Sequence, residues 1–252
     1  LHPTARFVLF DAAPDAQACR CENVHSLLFR QNEGAYLAGL LAVRHAQMSS
    51  GHDTAAGSAL LLGVVGAMPI PVIDDFIVGF TAGARATAPE ATVLRQYVNS
   101  FTDPAAGKEV AKALFGRGAH LVFHAAAGSG QGVIEAAAEA GRFAIGVDSD
   151  QYALFAGAQP RQAAAIVTSV MKNVDVALLR ALGAAQARTL AYGEVVTLGL
   201  AEGGVSLAAR STEMERLSPA VLDELNAAKA QITQGLLKVP SAFRAASSGA
   251  AP

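Results

Sequence analysis

The sequence predicts an α/β protein built on parallel sheets. Three observations carry that expectation. Short apolar, β-branched runs alternate with helix-period segments through most of the chain, as βαβ units require. Carboxylates, an amide and a glycine-rich turn follow those runs. The run Phe143-Ala-Ile-Gly-Val147 ends by presenting Asp148, and open parallel sheets hold their ligands at the carboxyl ends of their strands.

The elements follow in order. Residues 7–10 and 24–29 read as strands. Residues 32–46 read as a helix with Ala35, Leu37, Ala38, Leu41 and Ala42 on one side. Residues 51–58 are small and polar, a linker. A buried strand at 60–65 leads to a helix at 72–84, whose Val72, Phe76 and Phe80 recur every fourth residue and suit core packing. A strand at 93–98 precedes Asp103-Pro104, an N-cap followed by the residue best suited to the first helical position. The helix that it opens turns Val110, Ala113 and Leu114 inward. A strand at 120–124 and a helix at 132–140, stopped by Gly141, bring the chain to the strand at 143–147. Residues 164–169 suggest another strand, with a helix over 170–185. Then come an extended segment at 194–200, a Gly203-Gly204 turn, a helix at 219–234 and an Ala/Ser-rich tail, 241–252. No period of 20 to 50 residues repeats, which excludes solenoids and propellers.

Composition narrows the function. The 252 residues are 52% hydrophobic and carry a net charge of −2, so they can fill one large core or two lobes but offer no basic face for nucleic acid. The most apolar stretch, 58–73, contains Gly63, Gly66, Pro69 and Pro71 and fits a strand and a turn rather than a membrane span. The two cysteines, Cys19 and Cys21, are awkwardly spaced for a disulfide and too few for zinc, so they are expected to be thiols in a surface loop. Leu1 opens no signal peptide, and the chain begins almost directly on a strand. The expectation is that strand–helix units of a first lobe lie upstream.

If the strands are parallel, Asp11, Asn99-Ser100, the turn Ala125–Gly130 and Asp148 share one rim. Acceptors of this kind suit a ligand rich in hydroxyl donors, such as a sugar or ribose. Phe123 lies just before the glycine-rich turn. Pattern alone favours a core role for it over stacking on a ligand ring. Catalytic readings fail. Gly128-Ser-Gly-Gln-Gly132 has Val133 where a dinucleotide fingerprint needs its third glycine, and it lacks a P-loop lysine. Its helix N-terminus could still offer N–H groups to a ligand oxygen. Ser129 lacks the flanking glycines of a nucleophile elbow. His120 and His124 would stand about 13 Å apart along a strand, too far for one metal ion. Asp74-Asp75 opens a helix, where carboxylates complement the dipole.

Taken together, Ile70-Pro-Val-Ile-Asp-Asp-Phe76, Asn99-Ser-Phe-Thr-Asp-Pro104, Phe123-His-Ala-Ala-Ala-Gly-Ser-Gly130 and Gly146-Val-Asp-Ser-Asp-Gln-Tyr152 resemble successive blocks of the basic membrane protein family. Glu33-Gly-Ala-Tyr-Leu-Ala-Gly39, Leu198-Gly-Leu-Ala-Glu-Gly-Gly-Val205 and Lys238-Val-Pro240 extend the resemblance over residues 5 to 240. These are substrate-binding proteins of ABC importers related to the purine nucleoside receptor. The resemblance implies a type I periplasmic-binding fold, with two Rossmann-like lobes joined by a hinge and closing on a nucleoside. It divides the chain into a first, incomplete lobe (1–56 with about 170–195), a second lobe (57–169), closing elements (about 195–240) and a tail. It assigns Asp148 and Lys172 to the ribose hydroxyls, Phe123 to stacking on the base, Gly128 to the cleft wall and Asp11 to a further polar contact. Lys172 is expected to open a helix and to hold Asp148 ionised. The family's further aromatic contact and signal sequence would precede this chain.

The expected protein is therefore a binder and not an enzyme, without cofactor or metal. It would act in the periplasm or on the outer face of the cytoplasmic membrane, with a nucleoside as ligand and a membrane permease as partner. It would meet the membrane itself only through a lipid anchor outside this chain. The alternatives are a ligand sensor or a sugar-binding protein on the same fold.

Overall fold

The computed structural model describes residues 4–15, 19, 21–50 and 60–243. They form two parallel sheets. The smaller has the order β1 (Phe7–Phe10), β2 (Val24–Phe29), β8 (Val195–Leu198). The larger runs β4 (Thr92–Tyr97), β3 (Leu61–Gly66), β5 (Leu121–Ala125), β6 (Phe143–Asp148), β7 (Ile166–Lys172), β9 (Val205–Leu207), and only β9 is antiparallel.

Side chains along the large sheet alternate between two cores, as period-2 strands must. Val64, Phe123 and Ile145 join one core with α1 (Gln31–Ser50) and α2 (Pro71–Thr87). Val65, Val122 and Ala144 join the other with α3 (Pro104–Gly116) and α4 (Gly130–Ala140). The expected caps are in place: Asp103 accepts from the Ala106 amide at 3.0 Å, and Gly141 ends α4 with φ 60°. A short α5 (Gln151–Ala156) and α6 (Pro160–Ala163) separate β6 from β7.

Three expectations are corrected. The lobe boundary falls at Arg30, not near residue 56, because α1 packs on α2 of the larger lobe. The two backbones meet so closely that a Cβ on Gly79 or Gly83 would collide with the carbonyl of Asn32 or Tyr36. The strand expected to end at 169 continues to Lys172, pairing with β6 and β9, and helix α7 (Val174–Gln186) starts only after Asn173. Lys172 therefore ends a strand. Cys19 and Cys21 are joined as a disulfide; their Cα atoms stand 5.2 Å apart, within the range such a bond spans. The expected linker at 51–58 lies outside the described residues, as does the tail beyond Phe243.

The chain crosses between the sheets three times, and the crossings are bound together. The Arg30 amide donates to Leu198, Glu33 accepts from the Leu200 amide at 2.8 Å, and Asn173 Nδ2 donates to the Gly203 carbonyl at 2.9 Å. After β9 come α8 (Thr212–Glu215) and α9 (Pro219–Thr233), which docks on α1 through Arg44 and Glu224 at 2.7 Å.

Candidate binding cleft

A cavity of about 600 Å³ opens at the carboxyl ends of the strands, between Asp11 of the small sheet and the rim of the large one. Backbone conformation marks this rim independently. Five non-glycine residues among those described have left-handed φ, and four end strands there or lie within two residues of a strand end: Asp11 (57°), Asn99 (62°), Ala127 (46°) and Asp148 (67°). Such conformations are uncommon outside glycine and cluster where surrounding structure over-determines them, often at ligand sites.

The structure brings Asp11, Asp148 and Lys172 to the cavity wall. Lys172 Nζ reaches the two Asp11 carboxylate oxygens at 3.0 and 2.8 Å, an ion pair that joins the lobes across the cleft. The expected Lys172–Asp148 pairing is corrected: the ammonium is committed to Asp11 and acts on Asp148 only through its field. It also lies over the rings of Phe29 and Phe76, 5.5 and 5.7 Å from their centroids. Asp148 presents surface to the cleft, yet the surrounding walls withdraw solvent and push its carboxyl above the ordinary range. Lys172 opposes that shift and Asp11 adds to it.

Phe123 is not in the cavity. It sits in mid-strand on the face toward α2, wholly buried, and stacks on Phe80 with ring centroids 5.1 Å apart. The stacking role assigned by resemblance does not fit this placement, whereas the core role that its pattern favoured does. Gly128 is also displaced from the wall. Ala127 lines the cavity, and a Cβ on Gly128 would meet the Phe101 carbonyl at 3.1 Å.

The aromatic that sequence reasoning missed is Phe101, which lines the cavity and is 40% exposed. Its loop is held by Ser129, whose hydroxyl donates to the Ser100 carbonyl and accepts from the Asp103 amide, both at 2.9 Å. The signal available in the sequence was an aromatic two residues after an Asn in a strand-end loop. The cavity thus offers an aromatic face, four aspartates (Asp11, Asp148, Asp150 and Asp175) and the Lys172 ammonium, arranged for grip.

Among the described residues no cluster of His, Cys, Asp and Glu could hold a metal ion, and no helix is long and apolar enough to cross a membrane. Asp75, expected to complement a helix dipole, is instead buried and accepts from Ser241 Oγ and the Ala242 amide at 2.5 and 2.9 Å.

Residues 2–242 match the family model described as ABC transporter substrate-binding protein PnrA-like. The chain belongs to this basic membrane protein family. Relatives include a "CD4+ T-cell-stimulating antigen" of Listeria monocytogenes, 31% identical over 94% of this chain and 64% of that protein. Another is an "ABC transporter nucleoside-binding protein BmpA" of Lactococcus lactis, 30% identical over 95% of this chain and 66% of that protein. The chain spans just under two-thirds of both relatives. A solute-binding protein of an ABC transporter system from Aeropyrum pernix superposes with a TM-score of 0.77 at 26% identity, over 94% of this chain and 72% of that one. The fold is the type I fold of periplasmic solute-binding proteins, and the family is one described by ABC transporter substrate binding.

Proposed function

We propose that this protein is the nucleoside-binding component of an ABC importer. It closes its two lobes on a nucleoside, a purine one favoured, outside the cytoplasmic membrane and delivers it to a membrane permease. The observation that carries the reading is the pairing, in one cleft, of the exposed Phe101 ring with the Asp148 carboxyl and the Asp11–Lys172 ion pair. A planar base gains from an aromatic face, and ribose hydroxyls gain from carboxylate acceptors and an ammonium donor. The nucleoside-binding name of the Lactococcus relative agrees with this chemistry. Hinge closure suits lobes tied by three short crossings.

Thermal unfolding with and without ligand tests the reading. Inosine, adenosine or guanosine at about 100 times its Kd should add roughly 2.7 kcal/mol of stability, while free ribose adds little. A shift with a free sugar or amino acid and none with any nucleoside overturns it.

A further inference from the structure

Asp148 holds its left-handed backbone without glycine's freedom, so something outside the loop must fix it. The loop after Asp148 is clipped to both flanking strands through Gln151, the first residue of α5. The Gln151 amide donates to Ser169 Oγ on β7 at 3.2 Å. Its side chain folds back across β6, where Gly146 leaves the space: a Cβ there would overlap the Gln151 carboxamide oxygen. That oxygen accepts from His124 Nε2 on β5 at 2.9 Å.

His124 is fully buried, and its Nδ1 has no hydrogen-bond partner in the structure. A buried imidazole with one orphan nitrogen is costlier than an apolar side chain of its size. Its one hydrogen bond, to Gln151, is what distinguishes it from such a residue. The ring also lies hard against Gly130, which opens α4 beyond the glycine-rich turn. One imidazole therefore touches the supports of both cleft loops, those carrying Ala127 and Asp148.

We infer that His124 and Gln151 are positioning residues for the ligand: they touch no ligand atom but set where the Asp148 carboxyl stands, and so set affinity. The inference rests on the proposal that Asp148 grips a nucleoside. It goes beyond it by placing control of that grip in a buried clip behind the loop.

A double-mutant cycle with inosine tests it, after each variant is shown to unfold cooperatively. Gln151→Met is expected to weaken inosine binding about tenfold in the native background and less than about twofold in Asp148→Asn, because the clip acts through that carboxyl. His124→Leu should behave alike, whereas His124→Gln, which can place a donor near the lost Nε2, should recover most of the affinity. A loss that persists undiminished in Asp148→Asn, or no loss while Asp148→Asn itself weakens binding, overturns the clip. If Asp148→Asn leaves inosine binding unchanged, or the native chain binds no nucleoside, the functional reading falls and takes the affinity claim with it.

Amide exchange without ligand checks the clip separately. Exchange at Ser149, bonded to the Val147 carbonyl at 2.8 Å, and at Ala153, bonded to Asp150 Oδ1 at 3.0 Å, should accelerate in Gln151→Met. Unchanged rates there mean that Gln151 does not hold the loop.

Discussion

Two phenylalanines separate grip from support. Phe101 stands in the cleft wall at 40% exposure, and Phe123 is sealed against Phe80 and Phe76. Phe101→Ala is expected to leave stability within about 0.5 kcal/mol, because little packing is lost from an exposed loop. It should weaken nucleoside binding about fivefold or more, since stacking of a base on an aromatic contributes about 1–3 kcal/mol. Phe123→Ala should do the reverse, costing about 3–5 kcal/mol of stability with little direct effect on affinity. Chemical denaturation and calorimetric titration of the two variants read both quantities. An affinity loss confined to Phe123→Ala would restore the assignment that resemblance made. Asp148→Asn belongs at this scale too: it should weaken binding while the melting temperature holds, because the carboxyl is already pushed up by burial and its charge adds little to the fold. A collapse of the melting temperature would make Asp148 structural.

At the scale of elements, glycines report what each helix rests on. Gly83 lets α2 approach α1 until their backbones touch, whereas nothing lies within 4 Å of a Cβ on Gly183 in α7. Gly83→Ala should therefore cost about 1–3 kcal/mol through overpacking, and Gly183→Ala should add about 0.5–1 kcal/mol by removing unfolded-chain entropy. Urea titrations decide, and equal effects would mean that the close approach is not what Gly83 serves. Such packing explains what was legible in the sequence. Strand periodicity, the Asp103-Pro104 cap and the Gly141 stop are local signals: the cap and the stop appear where expected, and the strands within about three residues of it. The lobe boundary was not, because the side of the hinge on which α1 falls depends on residues such as Gly79, distant in sequence. The cleft was legible as a rim, through Asp11 and Asp148. Which way Phe123 points depended on a strand phase that a run buried on both faces cannot reveal.

Across the whole molecule, buried titratable groups set how stability responds to pH. Burial pushes His124 down from its ordinary value to about 4, only partly opposed by its bond to Gln151. Burial also lowers His45, with its hydrogen bond to Glu213 opposing. A histidine whose folded pKa is depressed binds protons better when unfolded, so its contribution is complete above about pH 6.5 and is lost as pH falls toward the folded value. Asp75, Glu33 and Asp148, all raised by loss of solvent, work the other way: they favour the folded state most in acid and lose that contribution as pH rises through their folded values. They therefore oppose the histidine effect over the range in which their own carboxyls titrate. For His124 alone the loss between pH 6.5 and 4 amounts to at most about 3 kcal/mol. Replacing the histidine isolates its share: His124→Gln, which has no proton to gain, should lose less melting temperature, or gain more, than the native chain as pH falls from about 6.5 to about 4. Parallel pH profiles for the two proteins would mean that acid acts elsewhere, with His45 beside Glu213 the next group to replace.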